Sequence, residues 1–202
     1  MVEGVTLLGG FTGRESNRED RNPTAHPTIL SGDIGVEGAM EDNAIHVVKG
    51  ADFAVLDGVT IEAGNAVHRE DHARMKGAGM INEAASPTVV NCIFRGNYAE
   101  NRGGAIYNCE GSSPDIRNCV FSGNTAELGG GAIWNDGYSN PEIVNCRFEN
   151  NVAGTNGGAV KSSGNSNPKV TNCLFVGNRA EGSQQSGMGG AMFTEQNSAP
   201  EV

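Results

Sequence analysis

The sequence predicts an all-β chain wound as a right-handed, single-stranded parallel β-helix, with three short strands in each 27-residue coil. Three observations carry this. Cys92, Cys119, Cys146 and Cys173 each lie 27 residues from the next. Four further columns keep the same period: Pro87/114/141/168, Asn91/118/145/172, Phe94/121/148/175 and Asn97/124/151/178. Finally, Gly occurs 30 times in 202 residues, about twice the usual ~7%, which is a turn-dense composition unlike that of a helical bundle. A fixed period of this length marks a repeat architecture whose units need neighbours to bury a core.

In chain order, residues 1–65 read as irregular N-terminal coils. Their strand-like runs are Val5 to Phe11, Thr28 to Leu30, Ile45 to Val48 and Val55 to Ile61. Residues 66–76, AVHREDHARMK, are too polar for a core and read as a surface loop or short helix. Residues 77–202 are the regular coils, and the whole forms one domain, expected to be a piece of a longer protein. The interval from Gly158 to Gly190 exceeds the period, which places extra residues around Gly182 to Met188.

One full coil runs from Gly130 to Asn156, and its apolar pieces are of strand length only. Strand one is expected at Ala132 to Asn135, strand two at Glu142 to Val144 and strand three at Cys146 to Phe148. Alternation along strands turns Ile143, Cys146 and Phe148 inward. The Asn145 column falls at the bend between strands two and three, where Asn tolerates a left-handed conformation and stacked amides can hydrogen-bond.

A net charge of −10, from 14 basic and 24 acidic residues, repels polyphosphates and excludes sequence-independent nucleic-acid binding. No apolar run approaches the ~20 residues of a membrane span, so no membrane insertion is expected. The opening Met1-Val2-Glu3-Gly4 lacks the basic and apolar regions of a signal peptide. An export signal is therefore expected outside this chain.

The GGAI units at Gly103 and Gly130, with FRGN, FSGN, FENN and FVGN starting at Phe94, Phe121, Phe148 and Phe175, resemble the GGA[ILV] and FxxN repeats of the polymorphic outer membrane protein family and related bacterial surface β-helix proteins. The resemblance covers residues 77–202. Upstream, Gly9 to Gly35 looks like the opening segment of large secreted β-helix proteins of environmental bacteria. These resemblances imply export, extracellular or cell-surface display, and adhesion. Parallel β-helices also include pectate-lyase-like enzymes, which implies a search for calcium and a basic catalyst. The regular coils show neither clustered Asp nor the nonapeptide calcium repeat. Calcium on loop carboxylates stays open, and no other cofactor is expected.

The residue after each GGA-plus-aliphatic unit reads Tyr107, Trp134, Lys161 and Phe193. Lys161 points this column outward, opposite Ile106, Ile133, Val160 and Met192. Aromatics at roughly 4.8 Å per coil would suit the stacking of sugar rings from a polysaccharide or cell-surface glycan. Alternatively the aromatics serve as core, or a covering loop hides them. The adjacent column reads Glu83, Cys109, Asp136, Ser163 and Glu195. Carboxylates two coils apart, about 9.6 Å by strand spacing, lie near the ~6.5–9.5 Å used by inverting glycosidases. Turn positions favour acidic residues in any case.

His68 and His72 have the i, i+4 spacing of helix-borne metal ligands, but Arg69 breaks the HExxH pattern and a solvated loop explains them too. The cysteine column brings Cα atoms within disulfide range, yet parallel Cβ vectors bridge poorly, so free buried thiols are expected, with Cys109 left over near a turn. A β-helix cut across its axis exposes backbone edges, from which end-to-end self-association is expected. No Ser-His-Asp, P-loop, zinc-finger or haem motif is present. Two functions follow: a non-catalytic adhesive or glycan-binding module, or a polysaccharide lyase or glycoside hydrolase working on the strand-one face.

Overall fold

The computed structural model describes residues 1–67, 75–182 and 187–201. Among these, short strands stack into four parallel sheets, and the only helical pieces are the three-residue turns Arg18–Asp20 and Met40–Asp42. Sheet I holds Val48–Lys49, Met80–Glu83, Ile106–Cys109, Ile133–Asn135, Val160–Ser162 and Met192–Thr194. Sheet II holds Thr6–Leu8, Val55–Asp57, Thr88–Val90, Asp115–Arg117, Glu142–Val144 and Lys169–Thr171. Sheet III holds Thr28–Ser31, Val59–Glu62, Ile93–Arg95, Val120–Ser122, Arg147–Glu149 and Leu174–Val176. Every pairing is parallel and joins residues one coil apart, as in Ile106 to Ile133 and Ile133 to Val160. This is the expected solenoid.

Each regular coil adds a fourth strand of two residues, such as Val152–Ala153, and these form sheet IV with Asn65–Ala66, Tyr98–Ala99, Thr125–Ala126 and Arg179–Ala180. Two residues are too few to show a period of two, so the sequence pattern gave no sign of it. Strand two lies where expected, strand one begins at Ile133 and strand three at Arg147.

The corner between sheets II and III works as the Asn column implies. Asn91, Asn118, Asn145 and Asn172 have φ of 54°, 54°, 54° and 52°, the left-handed region Asn tolerates. Their exposed amides form a file in which Asn118 donates to Asn91 (3.4 Å), Asn145 to Asn118 (3.3 Å) and Asn172 to Asn145 (2.6 Å).

Inside, layers repeat coil by coil. Phe94, Phe121, Phe148 and Phe175 stack with centroids 5.1, 4.8 and 4.8 Å apart. Val89, Ile116, Ile143 and Val170 form the facing layer. Cys92, Cys119 and Cys146 are buried, Cys173 is half-buried, and all four are free thiols, as expected. They donate to backbone carbonyls, as Cys119 does to Arg117 (3.2 Å). A second Asn file is buried. Asn97, Asn124 and Asn151 each donate along it, at 2.9, 3.0 and 2.9 Å, and Asn124 Nδ2 also reaches the Phe94 carbonyl (2.9 Å). Amides in this file are paired on both sides, which burial requires.

The N-terminal coils follow the same winding. The run Val55 to Ile61 is broken into two strands by Gly58, at φ 73°. Only Thr6–Leu8 of the first run and Val48–Lys49 at the edge of the third form strands. Arg21 pins the intervening arm by pairing with Asp57 (2.5 Å), both side chains largely buried. Of the expected polar loop 66–76, Ala66 belongs to sheet IV and Met75 is buried, while His68 and His72 lie outside the described residues. Part of the excursion at Gly182 to Met188, namely 183–186, does so as well.

Candidate functional site

On sheet I, Met80, Ile106, Ile133 and Val160 point into the core, so Tyr107, Trp134, Lys161 and Phe193 do face away from it. They do not form an open platform. Tyr107 and Trp134 are 4% exposed, Lys161 is 5% exposed and Phe193 is half-buried. The solvent-facing aromatic stripe is therefore corrected to a covered layer. The cover comes from the residue preceding each Gly-Gly or Gly-Ala corner. Lys76, Arg102, Gly129, Asn156 and Met188 pair in single parallel bridges, and a Cβ on Gly129 would lie 3.1 Å from Trp134 Cζ3 and 2.8 Å from Lys161 Cδ.

Cations interleave with the rings in this layer. Lys76 Nζ lies 5.1 Å from the Tyr107 ring centre, Arg102 Cζ 4.7 Å from that of Trp134, and Lys161 Nζ 4.2 Å from Trp134 and 5.5 Å from Phe193. Such contacts are worth from ~0.5 to ~2 kcal/mol as water is excluded. Burying the Lys161 ammonium is offset further by Glu195 at 2.9 Å. Trp134 Nε1 donates to Ser163 Oγ (2.8 Å), which donates to Asp136 Oδ1 (3.0 Å).

The three candidate carboxylates have different surroundings. Glu83 pairs with Lys49 (2.8 Å) and Glu195 with Lys161. Asp136 is a hub, accepting from Arg102 Nη1 (2.7 Å), Tyr107 OH (3.1 Å), Ser163 Oγ and the Gly137 N–H (3.0 Å). Glu83 and Asp136 meet in one cavity of about 380 Å³, together with Lys76, Tyr107, Cys109 and Glu110, with Gly137 completing the wall. Burial, then Glu83 and Glu110, push the Cys109 thiol up to about 11. Burial, then Asp136, push the Tyr107 hydroxyl up as well.

The cavity thus unites Glu83, Asp136 and Tyr107, while Trp134, Lys161, Phe193 and Glu195 do not line it. Sequence reasoning missed Lys76 and Glu110. Lys76 stands just before the Gly77 corner, outside the recognised columns, and Glu110 follows Cys109, the one cysteine off the period. Among the described residues, no group of three or more His, Cys, Asp or Glu is arranged to hold a metal ion, and no helix is long and apolar enough to cross a membrane.

A family model described as right handed beta helix region matches residues 35–199. No curated protein and no solved structure matches the chain.

Proposed function

This chain belongs to the right-handed β-helix family, and on that premise we propose that it is a non-catalytic module, displayed outside the cell or on its surface, that binds polysaccharide or cell-surface glycan. The observation that carries this reading is the polar cavity at the end of sheet I, where Glu83, Glu110 and Asp136 share one wall system with Lys76 and Tyr107. Carboxylates accept strong hydrogen bonds from sugar hydroxyls, and a stacked solenoid holds them at fixed spacing. The likeness of residues 77–202 to polymorphic outer membrane protein repeats points toward adhesion at a bacterial surface.

The non-catalytic part rests on partners. Inverting hydrolysis needs one carboxyl to give a proton while another activates water. Here Glu83 is engaged by Lys49, and the two oxygens of Asp136 already accept from four donors. A second reading, a polysaccharide lyase or glycoside hydrolase, is favoured by one observation: Glu83 and Asp136, two coils apart, line the same cavity.

The test is a glycan array run beside reducing-end release on pectin, alginate and xylan. Binding without release is expected, with Glu83→Gln weakening it. Release that Asp136→Asn abolishes would replace the binding module by the enzyme, and absence of any glycan binding would remove this reading.

A further inference from the structure

We infer that the excursion between Thr28–Ser31 and Val48–Lys49 carries a calcium site, with Asp42 Oδ1, Asn43 Oδ1 and Asn65 Oδ1 as its protein ligands. The bound ion clasps this excursion onto the first coils.

Apolar burial does not hold the excursion down, because Ile34, Val36 and Met40 are all exposed. Its own contacts are polar. Gly38 N–H donates to Asp33 (3.0 Å) and Val36 N–H to Asp42 Oδ2 (2.8 Å). Where the turn Met40–Asp42 meets residues 63–65, Asn65 Nδ2 donates to the Met40 carbonyl (2.6 Å), Asn65 N–H to that of Ala44 (2.9 Å) and Asn43 Nδ2 to that of Ala63 (3.0 Å). These bonds engage the nitrogen of both amides and leave each Oδ1 over.

Asn43 Oδ1, Asn65 Oδ1 and Asp42 Oδ1 are shielded from solvent and have no hydrogen-bond partner. Seven buried side-chain atoms among the described residues share that condition, and three of them gather at this one junction. Asn65 as a whole is only 7% exposed. A buried acceptor without a donor costs free energy, and a buried carboxylate oxygen without a counter-charge costs more. No protein cation answers it. Residues 22–48 contain Asp33, Glu37, Glu41 and Asp42 but neither Lys nor Arg, and none of these four carboxylates forms an ion pair among the described residues. A water can donate only two hydrogen bonds and brings no charge. Calcium takes about six to eight oxygen ligands, carboxylates, amide carbonyls and waters among them, so it suits a set made of one carboxylate and two amide oxygens.

The experiment titrates calcium chloride, and magnesium chloride in parallel, into the chelator-treated chain by calorimetry at ~0.15 M salt. Hydrogen exchange of the wild-type chain is followed with and without calcium. One calcium is expected to bind with a Kd of ~10⁻⁴–10⁻³ M and magnesium more weakly, because magnesium gives up its waters reluctantly. Calcium is expected to slow exchange in residues 33–44 and 63–65. Asp42→Asn is expected to weaken binding ~10-fold or more, since ligand charge sets affinity, whereas the remote exposed Glu181→Gln should bind as the wild type does. No binding up to ~10 mM calcium, well above that range, would overturn the site, and so would equal affinity for magnesium. Equal losses in the two variants would reduce the effect to net charge and overturn it as well. Should Asp42→Asn fail to fold, the exchange pattern decides: slowing confined to residues 83–110, or none, would refute a site at Asp42.

Discussion

The corner between sheets II and III reads Gly9 and Gly58 in the first two coils and Asn91, Asn118, Asn145 and Asn172 thereafter, as the backbone bonds align them. The same replacement occurs twice more. Gly64 precedes the buried Asn97 file, its N–H donating to Asn97 Oδ1 at 3.1 Å just as Asn97 N–H does to Asn124. Gly50 precedes a third file, in which Asn82 donates to Asn108, Asn108 to Asn135 and Asn135 to Ser162. In the phenylalanine layer, Leu30 and Ile61 stand before Phe94. The irregular coils and the regular ones thus share a winding but not a filling. The backbone needs only a residue that bends at each corner, whereas a side-chain file needs identical neighbours above and below. Where the two buried files begin, Gly50 and Gly64 leave room for the first members, Asn82 and Asn97.

If this contrast is right, the largest effect belongs to the repeated core. Phe121→Ala removes a fully buried ring stacked on both faces and is expected to cost ~3–5 kcal/mol. Leu30→Ala in the half-buried first coil should cost less than half as much. Urea midpoints measure both, and equal losses would break the contrast.

The covered outer layer belongs with the core in this respect. Trp134→Ala is expected to destabilise by ~3 kcal/mol, because Trp134 is nearly as buried as Phe121 and its N–H has a partner. A variant of unchanged melting temperature would mean that the cover opens in solution.

Gly50→Ala tests where a file begins. A Cβ there would stand 1.8 Å from Asn82 Oδ1, and Asn82 is fully buried, so a loss of ~1–3 kcal/mol is expected from overpacking. Adding Asn82→Ser should recover part of it. No recovery would place the strain in the backbone instead of the file.

Smallest is the exposed file. Asn145→Ala is expected to cost ~1 kcal/mol through its left-handed backbone and the loss of two exposed amide bonds. Glu142→Ala, in an exposed pair with Arg117, should stay within ~0.5 kcal/mol. Similar values for both would detach the corner from the Asn side chain.

The legible part of this molecule was whatever repeats. Phe94, Phe121, Phe148 and Phe175 announced an inward layer, and Asn145 with its three counterparts announced a bend, because each residue stacks on its own kind one period away. The Asn82 file escaped notice since its first interval, to Asn108, is one residue short of the period and its last member is Ser162. Half of the site was legible too. Glu83, Tyr107 and Asp136 stood in noticed columns, whereas Lys76 and Glu110 occupied positions at which no column is conserved in type.

The sequence alone determined the winding and the inward layers, since a fixed coil length and alternation along a strand bury the aliphatic column; through Lys161 it favoured an outward direction for Tyr107, Trp134, Lys161 and Phe193 but left a core reading of the aromatics open. Only the tertiary structure decided which outward side chains meet water. Lys76 covers Tyr107, and Arg102 covers Trp134, from corners that obey no side-chain repeat. The path of those corners over the sheet depends on packing between coils, which exists only once the coils have stacked.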